Sequence, residues 1–258
     1  MAQSFTVESP IAETVDAARR KVTTRRELAE TLGHSTRAMR EYAAQVIVEL
    51  VRIDADLLQD FSGDIVDALN RPESLTRYSM LEIIGEMMIS NPRIVTDSYE
   101  LLQECLYDED SGTVRLYAFR VLARYGATGP ARSLKVWPDL SMALRCFHGD
   151  SEFIAMLNEL INMLAGRADQ QVKDAAVELF AFDAENARGM LRRKARTIAT
   201  FAPDVLERIQ AEAQAVADAA AARKEAENVA TEEDDTSDDA ATDTDSDAVK
   251  DTGTEKKE

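Results

Sequence analysis

Apolar residues recur at i, i+4 and i+7 in five segments of the chain, and the segments themselves repeat. TVRLYAFRVLARYG, opening at Thr113, aligns with LTRYSMLEIIGEMM 38 residues earlier and, 37 before that, with AMREYAAQVIVELV. Further along it aligns with EFIAMLNELINML and MLRRKARTIATF. One column reads Met39, Thr76, Val114, Phe153, Leu191, at spacings of 37, 38, 39 and 38. The second reads Ala43, Met80, Ala118, Leu157, Ala195, and the third Val46, Ile83, Val121, Leu160, Ile198. Within each segment these positions share one face of an α-helix. A second set of helices is predicted between them, carried by the columns Leu28, Ile65, Leu102, Leu140 and Leu32, Leu69, Leu106, Leu144. The segment QQVKDAAVELFAF is helical in pattern but slips against that register. Ser, Asp, Gly and Pro fall where helices must end, at Gly33-His34-Ser35, Pro72-Glu73-Ser74, Asn91-Pro92, Asp110-Ser111-Gly112, Gly129-Pro130, Gly149-Asp150-Ser151 and Gly166.

One such hairpin cannot bury its own apolar face, whereas a stack of three or more buries a continuous core. The pattern therefore predicts an all-α solenoid of about five helical hairpins, ten helices in all, over residues 10–202. Residues 1–9 are expected to be a flexible N-terminus and 203–228 a C-terminal helical extension. Residues 229–258 hold twelve acidic and three basic side chains and almost no large apolar one. Burial there cannot offset the entropy of ordering, so a disordered acidic tail is expected.

The second helices resemble those of HEAT repeats, with TVRLYAFRVLARYG the clearest. A basic column, Arg40, Arg77, Arg115 and Arg192, follows the first apolar one, Ile154 interrupts it in the fourth unit, and a small residue sits at the close helix contact. The acidic turn Tyr107-Asp108-Glu109-Asp110 is similar to HEAT turns as well. The resemblance covers about three quarters of the chain. It implies a HEAT/armadillo-like α-solenoid acting as a scaffold or adaptor for protein partners, an analogy of fold.

Composition narrows the function classes. The 258 residues carry 48 Asp/Glu against 30 Lys/Arg, a formal charge of −18, which argues against a protein that coats nucleic acid or anionic membrane nonspecifically. Half of that charge, −9, falls on residues 220–258. Two cysteines, Cys105 and Cys146, cannot make a disulfide framework, so a reducing, cytoplasmic setting is expected, with both thiols as small core residues. The N-terminus shows no basic segment followed by an apolar one, so no signal peptide is expected, and no apolar run reaches the ~20 residues that span a membrane.

Catalytic signatures do not emerge, and neither an enzyme nor a cofactor or metal site is expected. His34 and His148 belong to no paired-ligand spacing, no Gly-rich loop opens a helix, and Asp108-Glu109-Asp110 lacks the alternating oxygens of a calcium loop. The segment Arg25 to Ile47 looks like a helix-turn-helix, with Ala29 in the first helix, Gly33 in the turn, and a local charge of +5 from Arg19 to Arg40. A DNA-binding regulator is thus one alternative, and a HEAT-like DNA glycosylase a second. Against the first, Leu28, Leu32, Met39, Ala43 and Val46 all fall in the repeat columns; against the second, a body of net −9 offers little basic groove.

Two surfaces are candidates for a protein partner. Arg77, Tyr78, Arg115, Tyr117, Arg120 and Arg124 lie on successive second helices, and in HEAT-like stacks this set lines the concave surface. Arg and Tyr are favoured at binding hot spots. Arg188, Arg192, Arg193, Lys194 and Arg196 form a +5 cluster on the last repeat helix, suited to an acidic partner or to the chain's own tail. Trp137, followed by Pro138, is expected to start a helix whose core stripe runs Trp137, Leu140, Leu144, Phe147. A monomer or weak homo-oligomer is expected.

Overall fold

The structure is a computed structural model that describes residues 4–235, with side chains described through residue 224. Among the described residues there are thirteen α-helices and no strand. The first unit is α1 (Ile11–Arg20), α2 (Val22–His34) and α3 (Arg37–Ile53). The second has a 3-10 turn (Ala55–Phe61), α4 (Ser62–Asp67), a second 3-10 turn (Ala68–Asn70) and α5 (Ser74–Met87). The third is α6 (Arg93–Asp97), α7 (Tyr99–Leu106) and α8 (Gly112–Ala127). The fourth is α9 (Pro130–Cys146) with α10 (Phe153–Ala165), and the fifth α11 (Gln170–Asn186) with α12 (Gly189–Ala199). The last helix, α13, runs Pro203–Asp235.

The second helices pack in sequence order, α3 on α5, α5 on α8, α8 on α10 and α10 on α12. All members of the Ala43 and Val46 columns are at most 1% exposed, and the Leu28 and Leu32 columns at most 3%. The Met39 column is buried at its three inner members and half-buried at Met39 and Leu191. Ala118 has no exposed surface and lies on α8 between α5 and α10. Ala118→Leu is expected to lower stability by about 1–3 kcal/mol through overpacking. An unchanged denaturation midpoint would place the column outside the core.

Ten unbroken helices were expected, and three of the five first helices are instead interrupted. In the first unit the chain is extended at Lys21 (φ −126°, ψ 118°), just before the β-branched run Val22-Thr23-Thr24. In the third, the buried Ser98 hydroxyl donates to the Ile94 carbonyl at 2.6 Å where α6 ends. In the second, 3-10 turns flank a six-residue helix. Helix α9 begins at Pro130, not at Trp137, and carries Pro138 inside. Pro138 cannot donate to the previous turn, and the Tyr99 hydroxyl approaches the nearby Lys135 carbonyl at 3.4 Å. Trp137 and Phe147 are half-buried, so the core stripe of α9 is Ser133, Val136, Leu140, Ala143 and Leu144.

In the segment expected to be a flexible N-terminus, Phe5 is 3% exposed and stacks on Tyr42 at 5.8 Å, while Ser4, Thr6, Val7 and Glu8 are exposed. Two compact units divide the chain after Glu207. Within the second, α13 continues to Asp235, so 229–235 is helical where disorder was expected, and 236–258 lies outside the described residues. Its described side chains from residue 211 on are exposed.

Candidate functional site

Three members of the basic column of the second helices are engaged in ion pairs between successive units. Arg40 on α3 makes a two-pronged pair with Glu73, the residue preceding α5. Arg77 on α5 pairs with Asp108 in the turn before α8. Arg115 on α8 donates through Nε to Glu152, which precedes α10, at 2.6 Å. Each arginine thus reaches the turn that opens the next unit's second helix, and the three pairs form a ladder. Two of the rungs also bind the arginine's own turn, Arg40 to the Ser35 carbonyl and Arg115 to the Asp108 carbonyl at 2.8 Å. Arg115 further lies over the Phe147 ring at 4.5 Å. Ile154 ends the ladder in the fourth unit. The Arg40 hydrogen bond holds the Glu73 carboxyl below the usual range. Burial pushes Glu152 up, but its backbone hydrogen bond, Arg115 and Ser151 outweigh that and hold it low. Gly112 is needed beside this rung, because a Cβ there would lie 2.7 Å from the Glu152 carboxylate.

Arg77 and Arg115, expected on the binding surface, are therefore structural, with side chains 17% and 13% exposed. The other four members of that set do lie on the opposite edge of the second helices. Tyr78 and Tyr117 come together with ring centroids 5.5 Å apart. Arg120 lies over the Tyr117 ring at 4.7 Å and pairs with Glu159 at 2.7 Å. Arg124 pairs with Glu86 at 2.7 Å. Sequence reasoning missed Arg52, which sits between Glu49 and Glu82, each at 2.7 Å. Ile11, Gln45, Leu75 and Ser79 join Tyr78, Tyr117 and this trio around a groove of about 360 Å³. Its ionic lining is one guanidinium to two carboxylates, and among the described residues no cation covers the Tyr78 ring.

The second cluster is gathered on and just before α12. Arg188, Arg193 and Arg196 are exposed, and Arg192 and Lys194 half-buried. Arg192 and Arg196 donate to the Ala184 carbonyl near the end of α11, at 3.4 and 3.2 Å. Helix α10 separates this cluster from α8 and the tyrosine pair.

The remaining motifs are structural. Asp108 accepts from the Asp110 and Ser111 backbone N–H groups at 3.1 and 2.7 Å, a capping turn. In the segment from Arg25 to Ile47, Ala43 and Ala44 are fully buried, Arg37 pairs with Glu41, and Arg25 donates to the Ala18 carbonyl at 2.6 Å. Cys105 is buried, and burial pushes its thiol up to about 11, but Cys146 is exposed, contrary to the expectation of two core thiols. His148 lies 3.4 Å from Asp183, over the Phe153 ring. No helix among the described residues is long and apolar enough to cross a membrane.

No protein-family model and no curated protein matches the chain. Solved structures do. A designed armadillo repeat protein in complex with the peptide (KR)4 aligns at a TM-score of 0.58 and 13% identity, over 76% of this chain and 95% of that one. Computationally designed armadillo repeat proteins for modular peptide recognition align at 0.59 and 13%, over 74% and 90%. The chain is an armadillo/HEAT-like α-solenoid. An engineered protein gives 0.58 and 13%, over 78% and 93%. Within this solenoid the first three units have the divided first helix and the last two an undivided one, so both ways of building a repeat occur in one stack.

Proposed function

We propose that this solenoid is a non-catalytic scaffold that binds a peptide segment of a protein partner on its second-helix face. The observation that carries the reading is the groove at Tyr78 and Tyr117. It joins two large rings to one arginine between two glutamates, and so suits a partner's Lys or Arg set over the Tyr78 ring and against Glu49 or Glu82. The designed neighbour bound to (KR)4 supports the same chemistry, as does the chain's net charge of −18. The exposed thiol of Cys146 suits a reducing, cytoplasmic setting.

The nucleic-acid readings lose support at four arginines of the second helices. Arg37, Arg40, Arg120 and Arg124 each pair with a carboxylate, which leaves no continuous basic stripe on that face. Affinity for duplex DNA is expected no tighter than about 10⁻⁴ to 10⁻⁶ M at physiological salt. A fluorescent (Lys-Arg)4 peptide serves as the test ligand for the groove. Tyr78→Ala combined with Glu82→Gln is expected to weaken its binding about tenfold or more at physiological salt, equivalent to about 1.4 kcal/mol. Equal affinity of the variant and the parent would reject the groove as the site.

A further inference from the structure

Arg52 does within the chain what a partner's base would do in the groove. It stands on the last turn of α3, with its side chain 52% exposed. Its Nη1 donates to Glu49, one turn back on the same helix, at 2.7 Å. Its Nη2 and Nε donate to a single oxygen of Glu82 on α5, at 2.7 and 3.2 Å. Glu82 is the better buried of the two acids, 21% exposed against 51%. It follows Tyr78 by four residues on α5, so carboxylate and ring share one face of that helix. Arg52 comes to this carboxylate from α3, and it is not the cation of any ring contact among the described residues.

We propose that Arg52 is the built-in occupant of the groove's subsite for a basic side chain, and that a Lys or Arg of the partner displaces it from Glu82. The inference rests on the reading that the groove is the partner's site. Three features suit an exchange. The Arg52–Glu82 pair is exposed enough to hold only weakly. Arg52 keeps Glu49 when it leaves Glu82, because that acid lies on its own helix, so neither charge is stranded. The newcomer then gains what Arg52 lacks, the face of the Tyr78 ring. The carboxylate contact is exchanged, not gained, so the ring decides whether displacement is favourable. Arg52 thereby sets a threshold. A cation that reaches Glu82 without covering Tyr78 only replaces one base by another. Loosely held cations, which a chain of charge −18 attracts everywhere, are turned away at this point.

Fluorescence anisotropy of a labelled (Lys-Arg)4 peptide with the full chain tests the exchange by a double-mutant cycle. Arg52→Gln is expected to tighten binding about two- to fivefold, the range for releasing one exposed pair. In the Glu82→Gln background there is no ion pair to release, so the same change should leave the affinity as it was. An equal gain in both backgrounds would overturn the proposal, because it would be the effect of removing a positive charge anywhere nearby. Unchanged or weaker binding by Arg52→Gln, in a chain whose binding still depends on Tyr78, would overturn it too and leave the groove standing as the site. Binding by neither the parent nor Arg52→Gln would reject the groove itself, and the exchange with it.

Discussion

Arg115→Ala is expected to lower the melting temperature by roughly 6–12 °C, the equivalent of about 3 kcal/mol in a body of this size. The cost arises less from the lost attraction than from what remains. Glu152 is 5% exposed, and without Arg115 it is a buried carboxylate with no charged partner close by. The Asp108 carbonyl loses its 2.8 Å donor in the same step, and Phe147 loses the guanidinium above its ring. Arg124→Ala is the control. Arg124 and Glu86 are 43% and 31% exposed, so that pair contributes at most about 1 kcal/mol. The effect also has a pH signature. Glu73 and Glu152 are held below their ordinary value in the folded chain, so the stabilisation they confer is complete above about pH 4.3. It is lost as pH falls from there through the folded-state values. The gap between the parent and Arg115→Ala should therefore narrow in acid. Thermal melts followed by circular dichroism at several pH values measure both features. A gap that widens below that pH would contradict the ladder.

Phe119→Ala is expected to cost more, about 3–5 kcal/mol, because it deletes a ring with no exposed surface from the middle unit of the stack. Position matters here beyond burial. In a stack each unit contacts only its neighbours, so a weakened third unit also uncouples the two ends. Urea denaturation should show a lower midpoint together with a shallower slope, the mark of lost cooperativity. An equal loss of midpoint at unchanged slope would mean that the ends still fold as one. A loss under 1 kcal/mol would mean that the site collapses around the missing ring.

The repeat columns were legible because burial imposes one period on every unit: no member of the Ala43 or Val46 column is exposed. Breaks in the first helices were less legible. Ser98 ends α6 through a single hydrogen bond that competes with the helix, and Pro138 sits inside α9, where a proline ordinarily marks a boundary. The candidate site was half legible. Tyr78, Tyr117, Arg120 and Arg124 do share a face, but Arg115 points about 200° away from Tyr117 on the same helix. A helical wheel would have separated the two sets. The acids that complete the ladder were hidden by spacing, since they follow their arginines by 33, 31 and 37 residues, with no common register. Arg52 lay beyond the aligned columns, so the acid-rich side of the groove had no sequence signal.

If the second-helix face holds the partner, photo-crosslinking will place a bound peptide there. A (Lys-Arg)4 peptide carrying one benzophenone side chain would be bound to the full chain, irradiated at physiological salt, and the adducts mapped by mass spectrometry. Adducts on α3, α5 and α8 around Gln45, Tyr78 and Tyr117 are predicted, and they should disappear with Tyr78→Ala and Glu82→Gln combined. Adducts confined to the acidic residues beyond 224, unchanged in that variant, would contradict the claim and reduce the attraction to net charge.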